Sequence, residues 1–349
     1  AISDGDNTPT IAKSTDFGTL ALTNTSQSVF SITNDGTGDL TVSGITVVGA
    51  NQGDFSITHP GSYPLTISPD GYALFSVTFN PTANGVRTAT LSITNDDLDE
   101  ADYDFAVKGT CAPKIILVEA PADDIYIIGE KLTFSVTFDA AVTVTGFPSI
   151  AIDVTGARLA AYESGSTTNE LYFSYTVTSG DIDMDGVGCT SPIQLGTASI
   201  QAAGVDAILT FNLPATTGVK VEGVAPSVSS IVRKTPTEQI TNADELVFTV
   251  TFSEAVVNVT TDDFAVTGAT AQLSLTVNST TVYDIKLTDG NLADLDGTVG
   301  LDIAGTQNIT DDYGNILLSD EPTTNQTYIL DNTAPGILSV NVPANDTYI

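Results

Sequence analysis

The chain has 349 residues, and its 10 Lys+Arg against 43 Asp+Glu give a formal net charge of −33. Too few cations are present to displace counterions from a nucleic acid, and an anionic membrane surface would repel the chain. At 41% hydrophobic and 15% charged it is too apolar to be a disordered polyelectrolyte, and its length suits two to three domains.

In chain order, the strongest signal is alternation of apolar and polar residues with period two. It runs through Ala73–Phe79, Leu132–Phe138, Leu171–Val177 and Leu246–Phe252. Each predicts a strand with one buried and one solvated face, the latter mostly Thr and Ser. Turn signals punctuate the strands at Asn34-Asp35-Gly36, Pro69-Asp70-Gly71, Thr145-Gly146 and Tyr313-Gly314-Asn315. No stretch keeps a 3.6-residue apolar period, and no apolar run is long enough for a transmembrane helix. The fold class expected is all-β, built from tandem immunoglobulin-like β-sandwiches.

The chain also repeats itself. Leu132–Phe138 and Leu246–Phe252 lie 114 residues apart, and Ala141-Val142 is echoed by Ala255-Val256. Each strand follows an Ala-Pro, at Ala112-Pro113 and Ala225-Pro226, and a third stands at Ala334-Pro335. The stretch from Val340 to Ile349 resembles Val118–Ile127. These marks predict domains at 1–111, 112–224 and 225–333, with 334–349 opening a further repeat. Short proline-marked linkers predict a semi-rigid rod. The start AISDGDNTPT, without Met, reads as a piece of a longer or processed protein.

Thr15-Asp16-Phe17-Gly18, Phe30–Leu40, Val77-Thr78-Phe79-Asn80-Pro81 and Leu91–Asp97 resemble the immunoglobulin-like domain shared by Hydin, ASPM and SPD-2. Phe134–Val142, Gly146-Phe147-Pro148, Tyr162–Ser166 and Asp181–Gly186 resemble the immunoglobulin-like repeats of giant bacterial adhesins. So do Val250–Val256, Asp311–Asn315 and Asp331–Pro335. The resemblance implies a secreted, extracellular array on a bacterial surface. Its partners would be neighbouring repeats, other copies in a filament, or a target-cell surface.

Calcium is the one cofactor considered. Asp181-x-Asp183-x-Asp185-Gly186 opens like an EF-hand loop, but the twelfth position, which needs a bidentate carboxylate, is Pro192. A looser calcium site and plain loop acids both remain as readings. Asp123, Asp124, Asp331 and Asp346 form a second group near the repeat junctions. Glu254 with Asp311, Asp312 and Asn315 forms a third. Hard oxygen ligands suit calcium, while Asp and Asn in turns also serve local hydrogen bonds. Cys111 and Cys189 are either a disulfide, permitted outside the cell, or two buried thiols.

His59, in Thr58-His59-Pro60-Gly61, is the one histidine, which leaves little room for a nucleophile–histidine pair, and no catalytic residue is expected. The function expected is a stalk segment of a large adhesin or surface filament, giving reach and strength. The alternatives are a glycan- or protein-binding module, or the non-catalytic arm of a secreted enzyme.

Overall fold

The computed structural model describes residues 1–59, 61–318, 322 and 324–341. Asp346, with the rest of 342–349, lies outside the described residues. The chain parts into two compact units. One comprises Ala1–Asp124, Lys131–Thr176 and Asp183–Lys220; the other comprises Ile125–Glu130, Val177–Ile182 and the chain from Val221 onward. Both are all-β, and among the described residues the only helical turns are four single 3-10 turns. Among the described residues no helix is long and apolar enough to cross a membrane.

The first unit opens with β1 (Asp16–Ala21), β2 (Ser26–Thr33), β3 (Leu40–Val48), β4 (Phe55–Thr58), β5 (Leu65–Ile67), β6 (Tyr72–Phe79), β7 (Gly85–Asn95) and β8 (Asp102–Ala112). One sheet runs β1-β8-β7-β3-β5 and a second runs β2-β6-β4. Every pair is antiparallel except β1 with β8, which run parallel with Leu20 opposite Cys111 and Ala21 opposite Ala112. Alternation places Phe75, Val77 and Phe79 of β6 inward, where they share one core with Phe17, Phe30, Phe55, Leu91 and Phe105. Phe55 stacks on Phe79 at 5.0 Å, and Phe17 meets Phe55 edge-on at 5.7 Å. Each buried Phe contributes roughly 1.5–3 kcal/mol of transfer free energy. Gly109 in β8 makes room for this packing, since a Cβ there would lie 2.3 Å from the Phe79 ring.

The same unit continues into β9 (Ile115–Glu119), β10 (Asp124–Tyr126), β11 (Lys131–Thr145), β12 (Ser149–Ile152), β13 (Arg158–Ser164), β14 (Thr168–Thr176), β15 (Ile182–Asp183), β16 (Ser199–Ala202), β17 (Val205–Asp206) and β18 (Val219–Glu222). The ends of β10, β15 and β18 pass into the second unit. The predicted strand Leu132–Phe138 is the first half of β11, with Leu132, Phe134, Val136 and Phe138 fully buried. That half lies between β14 and β9, and the last residues, Thr143–Thr145, pair with β16 instead.

The second unit adds β19 (Val228–Thr235), β20 (Ile240–Thr241), β21 (Leu246–Phe252), β22 (Phe264–Thr267), β23 (Gln272–Val277), β24 (Val282–Thr288), β25 (Gly297–Ile303), β26 (Thr324–Asn325) and β27 (Tyr328–Leu330). Its sheets run β23-β24-β21-β19-β26 and β20-β27-β25-β22. Leu246, Phe248, Val250 and Phe252 meet Ile231, Ile285, Leu301 and Tyr328 in one core. The Tyr328 hydroxyl lies 2.9 Å from the carbonyls of both Pro236 and Val247, so its polar end is not stranded.

The sequence repeat is also a repeat of strand pairing. The order β13-β14-β11 with β9 on the far side of β11 recurs as β23-β24-β21-β19. Phe134 faces Phe173 in the first set, and Phe248 faces Ile285 in the second.

Candidate functional site

The acids named from sequence are dispersed by the fold in different ways. Asp181 is fully buried, and its Oδ2 accepts hydrogen bonds from the Thr178 amide at 2.8 Å and hydroxyl at 2.9 Å. Asp183 is buried and accepts from the Gly186 amide at 2.9 Å, while Asp185 is exposed. Burial, then the neighbouring Asp153 and Asp185, raises the Asp183 carboxyl above the usual carboxylate range. Asp123 and Asp124 are exposed, and the Asp123 carboxyl lies against Gly218. Asp331 is exposed and accepts from the Thr333 amide at 3.3 Å. Among the described residues, no group of three or more His, Cys, Asp or Glu side chains is arranged to hold a metal ion.

Cys111 and Cys189 are both free, buried thiols, so the disulfide considered from sequence is not formed. Cys111 is the penultimate residue of β8, with its Sγ 3.2 Å from Asn84 Oδ1, and the backbone of Cys189 pairs antiparallel with Ile152. Each has found a place of its own in a packed sheet, and burial raises both thiols above the ordinary cysteine range. His59 is exposed, with Nδ1 2.8 Å from the Tyr63 hydroxyl, so it stands apart from every acid group above.

Of the third acid group, Asp311 and Asn315 are hydrogen-bonded inside the second unit, and Asp311 is near enough to Glu254 to join burial in raising its carboxyl. The turn after Thr310 is built by Asp311, whose Oδ1 accepts the amides of Tyr313 at 2.8 Å, Gly314 at 2.6 Å and Asn315 at 2.9 Å. Gly314 sits at φ +108°, where a side chain would be strained. That turn points the Asn315 amide into the interior, where it is only 2% exposed. Its Oδ1 accepts the Ile128 amide at 3.0 Å. Its Nδ2 donates to Asp311 Oδ2 at 2.9 Å, to the Glu222 carbonyl at 3.1 Å, and to Glu222 Oε2. One amide side chain thus fastens three separate stretches of chain.

The electrostatics are lopsided. Burial, then the nearby Asp311, and lastly Glu254, raise the Glu222 carboxyl above its usual range. Burial and then Asp311 do the same to Glu254. No Lys or Arg is among the groups that shift either residue. Asp312, named with this group from sequence, is exposed.

Glu222 is the member that sequence reading missed. It stands three residues before Ala225-Pro226, the offset that Asp331 holds before Ala334-Pro335. An acid at a fixed distance before the junction proline was the available signal. The arrangement offers no nucleophile with a base beside it. It offers a buried carboxylate group that is short of positive charge and is held by one amide.

Residues 11–110 match the family model described as HYDIN/CFA65/VesB-like, Ig-like domain. A search of curated proteins finds no match. Among solved structures, the chain is similar to the Escherichia coli adhesin FdeC at 13% identity, over 89% of this chain and 93% of that chain, with a TM-score of 0.30. It is similar to the secreted serine protease VesC from Vibrio cholerae at 12% identity, over 51% of this chain and 48% of that chain, with a TM-score of 0.24. It is also similar to the ectodomain of mouse nectin-like molecule 4 at 10% identity, over 93% and 99% of the two chains, with a TM-score of 0.27. The match to a HYDIN/CFA65/VesB-like, Ig-like domain thus covers residues 11–110, at the front of a chain that is all-β throughout its described length.

Proposed function

We propose that the chain is a non-catalytic stalk segment of a large extracellular adhesin or surface filament, with domains at 1–111, 112–224 and 225–333. The observation that carries this reading is the repeat. The same strand motif returns after 114 residues and builds the same sheet order, β13-β14-β11-β9 and β23-β24-β21-β19. Self-contained sandwiches joined by short proline-marked connections give length at little conformational cost. A net charge of −33 keeps such an array soluble and resists edge-to-edge association. Small-angle scattering from the purified chain tests it. An elongated particle with three domain-sized maxima along its length is expected, and a single compact globule overturns the reading.

Calcium is carried as part of the same proposal, at the Asn315 cluster. Burial and neighbouring acids raise Glu222 and Glu254, with no Lys or Arg among the causes; the acids are not arranged as a ready-made metal site, so calcium would have to draw them together. A ligand that prefers the folded state raises the melting temperature. Millimolar CaCl2 at pH 8 is expected to raise the melt of the wild-type chain relative to EGTA and to leave Asp311→Asn unmoved. An equal response in both, or none in either, removes calcium from the cluster.

A further inference from the structure

We propose that the open seam between the two sheets of the first domain is a docking slot for an extended, basic peptide with apolar residues at alternate positions, supplied by a different protein. The slot is a cavity of about 580 Å³. Its floor is apolar: Phe30, Val42, Phe75, Ile93 and Phe105 all reach it from the shared core. One wall is β2, the end strand of its sheet. β2 pairs with β6 along its full length and, among the described residues, with no strand on its other side. An end strand presents a row of N–H and C=O groups in the spacing that an added strand needs.

The rim supplies the charge preference. Asp35, Asp97 and Glu100 line the mouth and are exposed. The loops that carry them also bear Asp39, Asp96 and Asp99. Lys13 is the one basic side chain lining the slot among the described residues, and Asp6 holds it at 2.5 Å. The rim is therefore anionic, above an apolar floor and beside a free strand edge.

Each feature selects one property of the occupant. The strand edge selects extended backbone. The floor selects apolar side chains on the face turned inward, at every second residue. On the opposite face an added strand would lie beside Val29, which is 62% exposed on β2. The acids select Lys and Arg where the peptide passes the rim. A second copy of this chain, at net charge −33, is opposed by repulsion, so the charge commits the occupant to another protein. The slot stands independently of the stalk reading.

The experiment uses the full chain and a strand-length synthetic peptide alternating lysine and valine, with binding followed by calorimetry and by hydrogen exchange. Saturable binding with slowed amide exchange in 26–33 is expected. A lysine–glycine peptide, a glutamate–valine peptide and a backbone N-methylated lysine–valine peptide should each bind at least about tenfold more weakly, a difference of about 1.4 kcal/mol. The rim variant Asp97→Lys with Glu100→Lys, both in exposed loop positions that leave the core intact, should lose a similar factor. Raising the salt should weaken wild-type binding more than variant binding. Equal binding of the glycine peptide would mean charge attraction alone and overturn the slot. So would undiminished binding to the rim variant, exchange protection elsewhere than 26–33, or self-association of the chain in the absence of peptide.

Discussion

Asp54 and Glu222 are both buried carboxylates, at 2% and 6% exposure, yet their surroundings push them in opposite directions. Asp54, in the first unit, accepts from the Thr82 amide at 3.0 Å, the Thr82 hydroxyl at 2.6 Å and Arg87 Nε at 2.5 Å. Burial raises its carboxyl, but the Thr82 and Arg87 contacts outweigh burial and hold it below the usual range. Glu222, in the second unit, meets an amide and two further acids, so burial and like charge act together to raise it. Burial alone does not decide the protonation of a carboxyl; what is buried with it does. The first arrangement is a satisfied ion pair that fixes structure, and the second has no Lys or Arg among the groups that shift it.

Removing the cation at Asp54 gives the largest expected effect. Arg87→Ala leaves a buried carboxylate with no counter-charge. It should cost about 3 kcal/mol at pH 7, the low end for a broken buried pair because Arg87 keeps 20% of its side chain in water. Urea unfolding of the first unit reads it. Because the Asp54 carboxyl is lowered in the folded state, its contribution is present above the ordinary value of 3.8 and is lost as pH falls through the folded value. The cost of Arg87→Ala should therefore shrink in acid, and a cost that does not change with pH would show that lost packing, not charge, is responsible.

The smaller effect has the opposite sign. Glu222→Gln keeps an oxygen for the Asn315 amide and removes the charge. It should stabilise the second unit at pH 8 by on the order of 1 kcal/mol. The Glu222 carboxyl is raised in the folded state, so its stabilising contribution is complete below the ordinary value of 4.5 and is lost as pH rises through the folded value. The gain from Glu222→Gln should vanish below about pH 4.5 and grow above it. A loss of stability at pH 8 would mean that the carboxylate is already neutralised there. Single variants make this comparison cleaner than whole-unit melts, because Asp183 is raised in the first unit while Asp284 and Asp296 are lowered in the second.

The fold was more legible than the site, for a physical reason. Alternation is written locally, and the strands read from Leu132–Phe138 and Leu246–Phe252 fall inside β11 and on β21. What alternation does not carry is where a strand changes partners, and the passage of β11 from β9 to β16 had no mark in the sequence. Of the acids, Asp311 and Asn315 were named as a group and do meet, because the Asp-x-x-Gly-Asn turn specifies its own geometry. The run Asp181, Asp183, Asp185 had the spacing of a cation loop, but Thr178 and the Gly186 amide engage its first two members. The cysteines were unreadable as a pair, since the distance between two thiols is a property of the whole fold.

The parallel pairing of β1 with β8 has a mechanical consequence. β1 begins near the start of the first sandwich and β8 ends it, side by side and pointing the same way. A pull on the two ends of that sandwich drags the two strands past each other along their length. All of their hydrogen bonds then bear the load at once, instead of opening one after another from an end as in a zipper. The parallel pairing of β1 with β8, preceded by the parallel bridge of Asp6 to Phe105, lies where tension enters and leaves the domain.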